Sequence, residues 1–136
     1  MIHLITKENL SLPDILVENN CDQLLNFPWS RIAVDTETTS LLPFDGKLLT
    51  IQLGCFEHQW LLDINSLESI PDSIKNLLQQ SELIFHNAKF DFQWLYHHEL
   101  NVKNINDTFL AECILTTGYE NRKVGLKDVA LKYLNI

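Results

Sequence analysis

The chain has 136 residues, a formal net charge of −8 at pH 7 and a sequence pI of about 4.9. This is the size of one ordinary domain, and 46% hydrophobic residues are enough to fill a core. The acidic composition excludes a protein that binds nucleic acid through a broad basic face, because affinity for phosphate backbones normally comes from Lys and Arg. No apolar stretch has the length of a membrane span, so no membrane partner is expected.

The cysteines are odd in number and widely spaced, at Cys21, Cys55 and Cys113. This spacing predicts reduced thiols and excludes a zinc site built on neighbouring cysteines. The N-terminus lacks the basic start and apolar run of a signal peptide. We therefore expect a cytoplasmic location.

The first half of the chain is predicted to form strands at residues 31–37, 48–54 and 59–64, preceded by a short strand at 2–5 that is not counted in the sheet. "LLTIQLG" alternates apolar and polar residues, which is typical of a half-buried strand, and "FDGK" contains an Asp-Gly turn before it. Between this short strand and residue 31 only "NCDQLLNF" suggests a helix, which Pro28 would end. The strands at 31–37, 48–54 and 59–64 have short connections and predict an antiparallel meander.

The hydrophobic period changes in the second half. Pro71 is predicted to open a helix, Asn87 to cap a helix that runs to about His98, and Asp107 to cap a helix that stops at Gly118. A last amphipathic helix follows in "GLKDVALKYL". Strands are predicted between the helices, at 82–85 and 101–106. This order predicts an α/β fold with a mixed five-stranded sheet, a three-strand antiparallel meander plus βαβ units, flanked by helices.

The stretch "RIAVDTETTSLL" (31–42) puts two carboxylates into a predicted strand. Asp35 and Glu37 project to one face, about 7 Å apart, while Ile32 and Val34 project to the other. Two like charges repel and need compensation, and Mg²⁺ or Mn²⁺ prefers such oxygen ligands. A functionless pair at the exposed end of the strand is the alternative, and a D-x-E pattern alone is too common to decide.

A third carboxylate lies in "HNAKFDFQWL" (86–95). Asp91 falls within the apolar stripe of a predicted helix, where a carboxylate needs a partner. Either Asp91 completes a three-carboxylate cage with Asp35 and Glu37, or it pairs with a lysine or lies at the edge of the stripe.

The motifs "VDTETTSLL", "HNAKFD" and "NDTFLAECIL", followed by "GLKDVALKYL", resemble the DEDD (DnaQ-like) 3′–5′ exonuclease domains. The resemblance is strongest to the proofreading exonuclease domain of family A DNA polymerases, including phage ones, and ribonuclease D is a near relative. It covers the chain from about residue 31 to the end and implies a ribonuclease H-like fold.

The resemblance implies that Asp35, Glu37 and Asp91 are the catalytic residues and the ligands of two divalent metal ions, Mg²⁺ or Mn²⁺. The implied activity is metal-dependent hydrolysis that removes nucleoside monophosphates from DNA 3′ ends by two-metal-ion catalysis. Single-stranded or frayed ends are the expected substrate, since a mispaired end costs less to melt.

The resemblance also implies residues that bind the substrate. Thr38 and Leu41 match positions that contact the terminal nucleotide, with Leu41 packing on its base, and Asn87 matches a residue that contacts the substrate strand. Asp107 matches the Asp of a "DT" pair in these domains, although a helix cap explains it equally. His86 either faces the site or is a core or surface histidine.

The chain departs from the family pattern at its end. A fourth carboxylate should follow on a late helix with Tyr or His four residues before it, but Thr and Val occupy positions 116 and 124, four residues before Glu120 and Asp128. We therefore expect residues 1–136 to form a single 3′–5′ exonuclease-like domain that is incomplete, with the C-terminal helix missing. The chain is then a fragment, or receives this helix from a polymerase domain or another chain, or has lost its activity.

Three functions remain open. The first is a proofreading-type exonuclease acting on DNA, the second is ribonuclease D-like trimming of RNA 3′ ends, and the third is a catalytically incomplete module that binds nucleic acid or a partner. Apolar surface left uncovered by the missing helix also predicts self-association.

Overall fold

The computed structural model describes residues 1–136, which form one seven-stranded mixed sheet with helices packed on it. The strands are β1 (Ile2–Ile5), β2 (Ile15–Glu18), β3 (Ile32–Thr38), β4 (Leu48–Gly54), β5 (Gln59–Asp63), β6 (Leu83–Phe85) and β7 (Ile105–Asp107). The helices are α1 (Asp22–Asn26), α2 (Ile64–Leu67), α3 (Asp72–Gln80), α4 (Ala88–His97), α5 (Thr108–Leu115) and α6 (Leu126–Leu134), with a short 3-10 helix at Pro43–Asp45. None of these helices is both long and apolar enough to cross a membrane.

The predicted meander and βαβ units are both confirmed. β3, β4 and β5 pair in antiparallel fashion, whereas β6 pairs in parallel with β3 and with β7. Helix α4 connects β6 to β7, as a parallel pair requires. The strand order is β2-β1-β5-β4-β3-β6-β7, so β3 lies inside the sheet, between an antiparallel and a parallel neighbour.

The predicted number of five strands is wrong. β1 pairs in parallel with β5, and β2 pairs in parallel with β1, so two strands extend the sheet beyond the meander. β2 was not predicted, because it is a four-residue edge strand and none of its residues is fully buried. An edge strand of this kind lacks the alternation on which sequence-based assignment depends.

Several predicted boundaries also shift. The helix predicted to stop at Gly118 ends at Leu115. The strand expected at 101–106 is only Ile105–Asp107 in the structure. The strand expected to run to residue 64 ends at Asp63, whose side chain accepts a hydrogen bond from the Ser66 backbone N–H (3.1 Å) and so begins α2. The Asp side chain competes for the backbone at this point and ends the strand.

The core lies on one side of the central strands. Twenty buried hydrophobic residues form one cluster, with contributions from β3 to β6 and from α1, α3 and α4. Trp60 and Trp94 are its largest fully buried side chains. Neither α5 nor α6 contributes a residue to this cluster. The opposite face of β3 therefore remains open, and the candidate site lies there.

Candidate active site

Alternation along β3 places Asp35 and Glu37 on one face of the sheet. Ile32, Val34 and Thr36 are buried, whereas Asp35 and Glu37 are exposed on the opposite face. The pairing with β4 shifts between Glu37 and Thr38, so the strand is irregular just after the second carboxylate. Such irregularities redirect the chain at the end of a strand, and here the redirected segment is the loop that contains Leu41.

Asp91 is buried on α4, with only 3% of its surface exposed. Its Oδ1 accepts a 2.7 Å hydrogen bond from the hydroxyl of Thr36. The sequence offered a lysine partner or an edge position as alternatives to a metal site, and the structure shows neither. The partner is a hydroxyl on the strand that also carries Asp35 and Glu37.

The three carboxylates influence one another electrostatically. Burial, together with the negative charge of Asp35, raises the pKa of Asp91 from 3.8 to about 6, and the hydrogen bond from Thr36 opposes this rise. Partial burial of its carboxyl group and the charge of Glu37 raise the pKa of Asp35. Asp35 thus interacts with both other acids, while the five ion pairs of the structure all involve other residues.

The three carboxylates are chemically suited to bind a divalent cation, but their side chains are not arranged around a common binding point. Carboxylate oxygens without a neutralising Lys or Arg are the ligands that Mg²⁺ and Mn²⁺ prefer. No group of three or more His, Cys, Asp or Glu side chains is arranged so that it could hold a metal ion. The side chains of Asp35, Glu37 and Asp91 would therefore have to adjust their rotamers to bind an ion together.

The residues expected to contact a terminal nucleotide lie in the loop after β3. The Thr38 hydroxyl donates a 2.7 Å hydrogen bond to the Ser40 carbonyl oxygen. The Leu41 side chain is 77% exposed, and its carbonyl oxygen accepts a 3.1 Å hydrogen bond from Gln93 Nε2 of α4. The loop is tied to the helix that carries Asp91, and the Leu41 side chain is left free to contact a ligand.

Asn87 does not cap α4 as predicted. It occupies the N-cap position in a left-handed conformation (φ 70°), and its side chain makes no capping hydrogen bond. The cap comes from Asp107, whose carboxylate accepts hydrogen bonds from the backbone N–H groups of Asn87 (3.0 Å) and Ala88 (2.9 Å). This arrangement leaves the exposed Asn87 side chain without a structural role at the helix end.

Asp107 caps α5 as predicted, and the same carboxylate therefore serves two helices. Its Oδ1 also accepts from the backbone N–H groups of Phe109 (2.9 Å) and Leu110 (3.3 Å). The cap explains Asp107 without a direct role in chemistry.

His86 lies at the end of β6 and faces the site. It lines a cavity of about 360 Å³ together with Asp35, Gln52, Gln59 and Leu126. Its Nδ1 is 2.9 Å from the Thr108 hydroxyl oxygen. Sequence reasoning left the position of His86 open and missed Thr108.

The acidic residues late in the chain do not extend the site. Glu112 is almost fully buried and contacts Lys132 Nζ (2.7 Å) and the Tyr133 hydroxyl (2.9 Å). These hydrogen bonds hold the pKa of Glu112 below its usual range. Glu120 is exposed and Asp128 only partly buried.

Comparison with known proteins identifies related sequences. Residues 11–136 match a family model described as 3′–5′ exonuclease. The DNA polymerase of Escherichia phage T5 is 31% identical over 131 residues, which cover 88% of this chain and 15% of that polymerase. The chain spans 15–16% of the length of the curated polymerases it matches.

Solved structures share the fold. Brucella melitensis NrnC with bound Mg²⁺ has a TM-score of 0.71 and 26% sequence identity, covering 99% of this chain and 61% of that protein. Escherichia coli RNase D, described as an exoribonuclease involved in structured RNA processing, has a TM-score of 0.63 and 22% identity, covering 85% of this chain and 30% of that protein. The second likeness concerns the fold alone.

Proposed function

Because the chain belongs to the 3′–5′ exonuclease family, we propose that it is a proofreading-type domain that removes nucleoside monophosphates from DNA 3′ ends. The observation that carries this proposal is geometric: Asp35 and Glu37 lie on the open face of β3, and Asp91 is hydrogen-bonded to Thr36 of the same strand. None of the three carboxylates belongs to an ion pair. Acidic side chains that lie close together without basic partners are typical of metal-binding and catalytic sites.

Asp35, Glu37 and Asp91 would hold two divalent ions, Mg²⁺ or Mn²⁺. When bound, the ions lower the pKa of a coordinated water and stabilise the leaving 3′ oxygen. Asp91 contributes from the interior, where its Oδ1 accepts a hydrogen bond from the hydroxyl of Thr36. Asp35 and Glu37 contribute from the exposed face of β3, which the 3′ end of a DNA strand can approach.

The substrate contacts follow from the loop after β3. Leu41 offers an exposed apolar side chain to the terminal base, Thr38 lies at the irregular end of the strand, and Asn87 presents an exposed side chain beside α4. This local site accords with the net charge of −8, because positive charge at the scissile phosphate would come from the ions instead of from a basic face.

The test is degradation of a 5′-labelled single-stranded DNA oligonucleotide in the presence of Mg²⁺ or Mn²⁺. We expect stepwise shortening from the 3′ end by the wild type and a loss of about 100-fold or more for Asp35→Ala, since the ion that organises the reaction would be lost. Asp72→Ala, which changes an exposed acid on α3, is the matched control and should behave as the wild type. A wild-type protein that leaves DNA intact with both ions would contradict the proposal.

A ribonuclease D-like activity is the second candidate, because the sequence motifs also resemble those of ribonuclease D. DNA and RNA oligonucleotides of one sequence distinguish the two activities, because they differ locally in the 2′-hydroxyl. We expect faster shortening of DNA, and faster shortening of RNA would support the second candidate instead.

A non-catalytic module that binds nucleic acid or a partner is the third candidate. The lack of a preassembled three-ligand group favours it. Calorimetric titration with Mn²⁺ separates it from the enzymes: an exonuclease should bind Mn²⁺ in a manner that Asp35→Ala abolishes, whereas a vestigial site should give no such heat.

A further inference from the structure

Thr36 is the polar member of the buried side of β3. Ile32 and Val34 share this side with it, and all three residues are at most 5% exposed. The Thr36 hydroxyl is therefore cut off from water and needs a hydrogen-bond partner inside the protein. It donates to Asp91 Oδ1 at 2.7 Å.

The proton of this hydrogen bond belongs to Thr36. An ionised carboxylate only accepts hydrogen bonds, and a threonine hydroxyl has a single proton to donate. Hydroxyl groups that donate to a charged oxygen form short and strong hydrogen bonds, at about 2.5–2.7 Å, and the distance of 2.7 Å agrees with this. The bond acts on one defined oxygen of Asp91 and thereby restrains the rotation of its carboxyl group.

Both ends of the hydrogen bond are attached to well-packed elements. Thr36 lies within β3, where it pairs with Ile51 of β4. Asp91 lies in the first turn of α4, and Trp94 and Leu95 of the same helix are fully buried in the core. The Asp91 side chain is thus held between a strand inside the sheet and a helix packed on that sheet.

The other two carboxylates of the candidate site are less restrained. Asp35 and Glu37 are exposed on the open face of β3, and neither belongs to an ion pair. Exposed side chains change rotamer within nanoseconds. Asp91 is therefore the fixed member of the three, and the other two can move relative to it.

Proteins commonly orient their metal ligands through a second hydrogen bond. Carboxylates that bind a metal ion are themselves hydrogen-bonded to outer partners, and loss of such a partner typically weakens metal binding by about 10–100-fold. Thr36 has the position of such a partner, because it donates to Asp91 from the strand that carries Asp35 and Glu37.

We propose that Thr36 is a positioning residue whose hydroxyl holds Asp91 in the rotamer that binds the divalent ion. The rearrangement that ion binding requires then falls mainly on Asp35 and Glu37. The inference rests on the proposed function, because it takes these carboxylates as metal ligands. It deepens that function by assigning a role to a residue that touches neither ion nor substrate.

The first test needs neither metal nor substrate. NMR coupling constants report the χ1 rotamer of Asp91 in EDTA at pH 8. We expect a single rotamer in the wild type and in Thr36→Ser, which keeps the hydroxyl, and averaging over several rotamers in Thr36→Val, which lacks it. A single, unchanged Asp91 rotamer in Thr36→Val would overturn the inference. A wild type with several Asp91 rotamers would overturn it as well, whether or not the variant folds.

The second test is calorimetric titration with Mn²⁺ at pH 8. We expect binding to Thr36→Val to be about 10–100-fold weaker than to the wild type, and binding to Thr36→Ser to be close to that of the wild type. Thr116→Val is the matched control, because it removes a buried hydroxyl that donates to the Glu112 carbonyl oxygen at 2.7 Å. This control should bind Mn²⁺ as the wild type does. Equal Mn²⁺ affinity in Thr36→Val and the wild type would overturn the inference.

Failure of the proposed function gives a different pattern. A wild type that binds Mn²⁺ in a Thr36-dependent manner but shortens no DNA would contradict only the proposed function. A wild type that shortens DNA, together with a Thr36→Val variant of unchanged Mn²⁺ affinity, would contradict only the role of Thr36.

Discussion

At the scale of single residues, Asp91 is a buried carboxylate whose side-chain hydrogen-bond partner is a single hydroxyl. Its carboxylate is 3% exposed and accepts a hydrogen bond from Thr36. One hydroxyl cannot replace the hydration that a carboxylate loses on burial. The charged form is therefore strained in the metal-free protein, and stability should depend on pH through this group.

Asp91→Asn should reveal this strain. The pKa of Asp91 is about 6 in the folded chain, against 3.8 for a free carboxyl. The free energy of unfolding of the wild type should therefore fall as the pH rises from about 4 through 6, and this fall should level off at higher pH. Between pH 4 and pH 8, the free energy of unfolding of Asp91→Asn relative to the wild type should rise by about 2–3 kcal/mol. Urea unfolding in EDTA measures it. Asp72→Asn should show no such rise, and a flat difference for Asp91→Asn would contradict the account.

Asp107 is the second residue whose role depends on distant partners. Its Oδ1 accepts from three backbone N–H groups and its Oδ2 from a fourth. Asp107→Ala should uncap both α4 and α5 and lower the free energy of unfolding by about 2–4 kcal/mol. Asp107→Asn keeps one acceptor oxygen and should cost about 1 kcal/mol.

Urea unfolding followed by circular dichroism compares these variants with Glu120→Ala, an exposed acid outside any helix. Equal losses for Asp107→Ala and Asp107→Asn would show that the charge matters more than the hydrogen bonds.

Sequence reasoning could locate the acidic residues but not these partners. The two-residue period of a strand is enough to put Asp35 and Glu37 on one face. Thr36 and Asp91 are 55 positions apart, and Asp107 and Asn87 are 20 apart. Such contacts follow from the packing of β3, β6 and β7 against α4, which no local pattern contains. One signal was available, since Thr36 is a polar residue on the apolar side of its strand.

At the scale of elements, α6 docks through polar contacts. None of its residues is buried, although its sequence is amphipathic. Lys132 and Tyr133 instead hydrogen-bond to Glu112, the single buried residue of α5. Sequence patterns predicted the bounds of α6 well but not this attachment, because Glu112 reads as a surface residue within "TFLAECIL".

Glu112→Gln should therefore release α6 without unfolding the sheet. The amide cannot hold the Lys132 ammonium as a carboxylate does. We expect faster backbone hydrogen exchange in residues 126–134 and unchanged exchange in β3 and β4, measured by mass spectrometry. Glu120→Gln is the matched control, and unchanged protection of residues 126–134 in Glu112→Gln would contradict this attachment.

The strands show where alternation succeeds and fails. β3 alternates between buried and exposed positions, and β4 combines buried with half-buried positions; both seven-residue strands were predicted. β2 has four residues, half-buried or exposed, and was missed. A strand at the edge of a sheet packs on fewer neighbours, so its sequence is under weaker constraint.

At the scale of the whole molecule, α5 and α6 present apolar side chains to solvent. The large aliphatic residues that these two helices expose are Leu110, Ile114, Leu115, Leu126, Leu131 and Leu134, each at least 56% exposed. Large apolar side chains that are exposed to solvent favour association with other molecules. The net charge of −8 opposes association, because the chains repel one another. This repulsion should weaken as salt screens the charges.

We expect the chain to self-associate through this surface. Static light scattering should give a mass that rises with protein concentration, and more steeply at high salt. Ile114→Lys should reduce the rise, whereas Phe56→Ser, which changes an exposed residue remote in sequence from α5 and α6, should not. A constant monomer mass at high concentration would contradict the prediction.

The alternation of β3 has a consequence for folding. If this strand paired with its neighbours one position out of register, every side chain would change sides. Asp35 and Glu37 would then enter the apolar interior, and Val34 would face water. The free-energy cost of burying two charges is far larger than that of exposing a valine. The acids proposed for catalysis therefore also disfavour a misfolded sheet in which β3 is out of register.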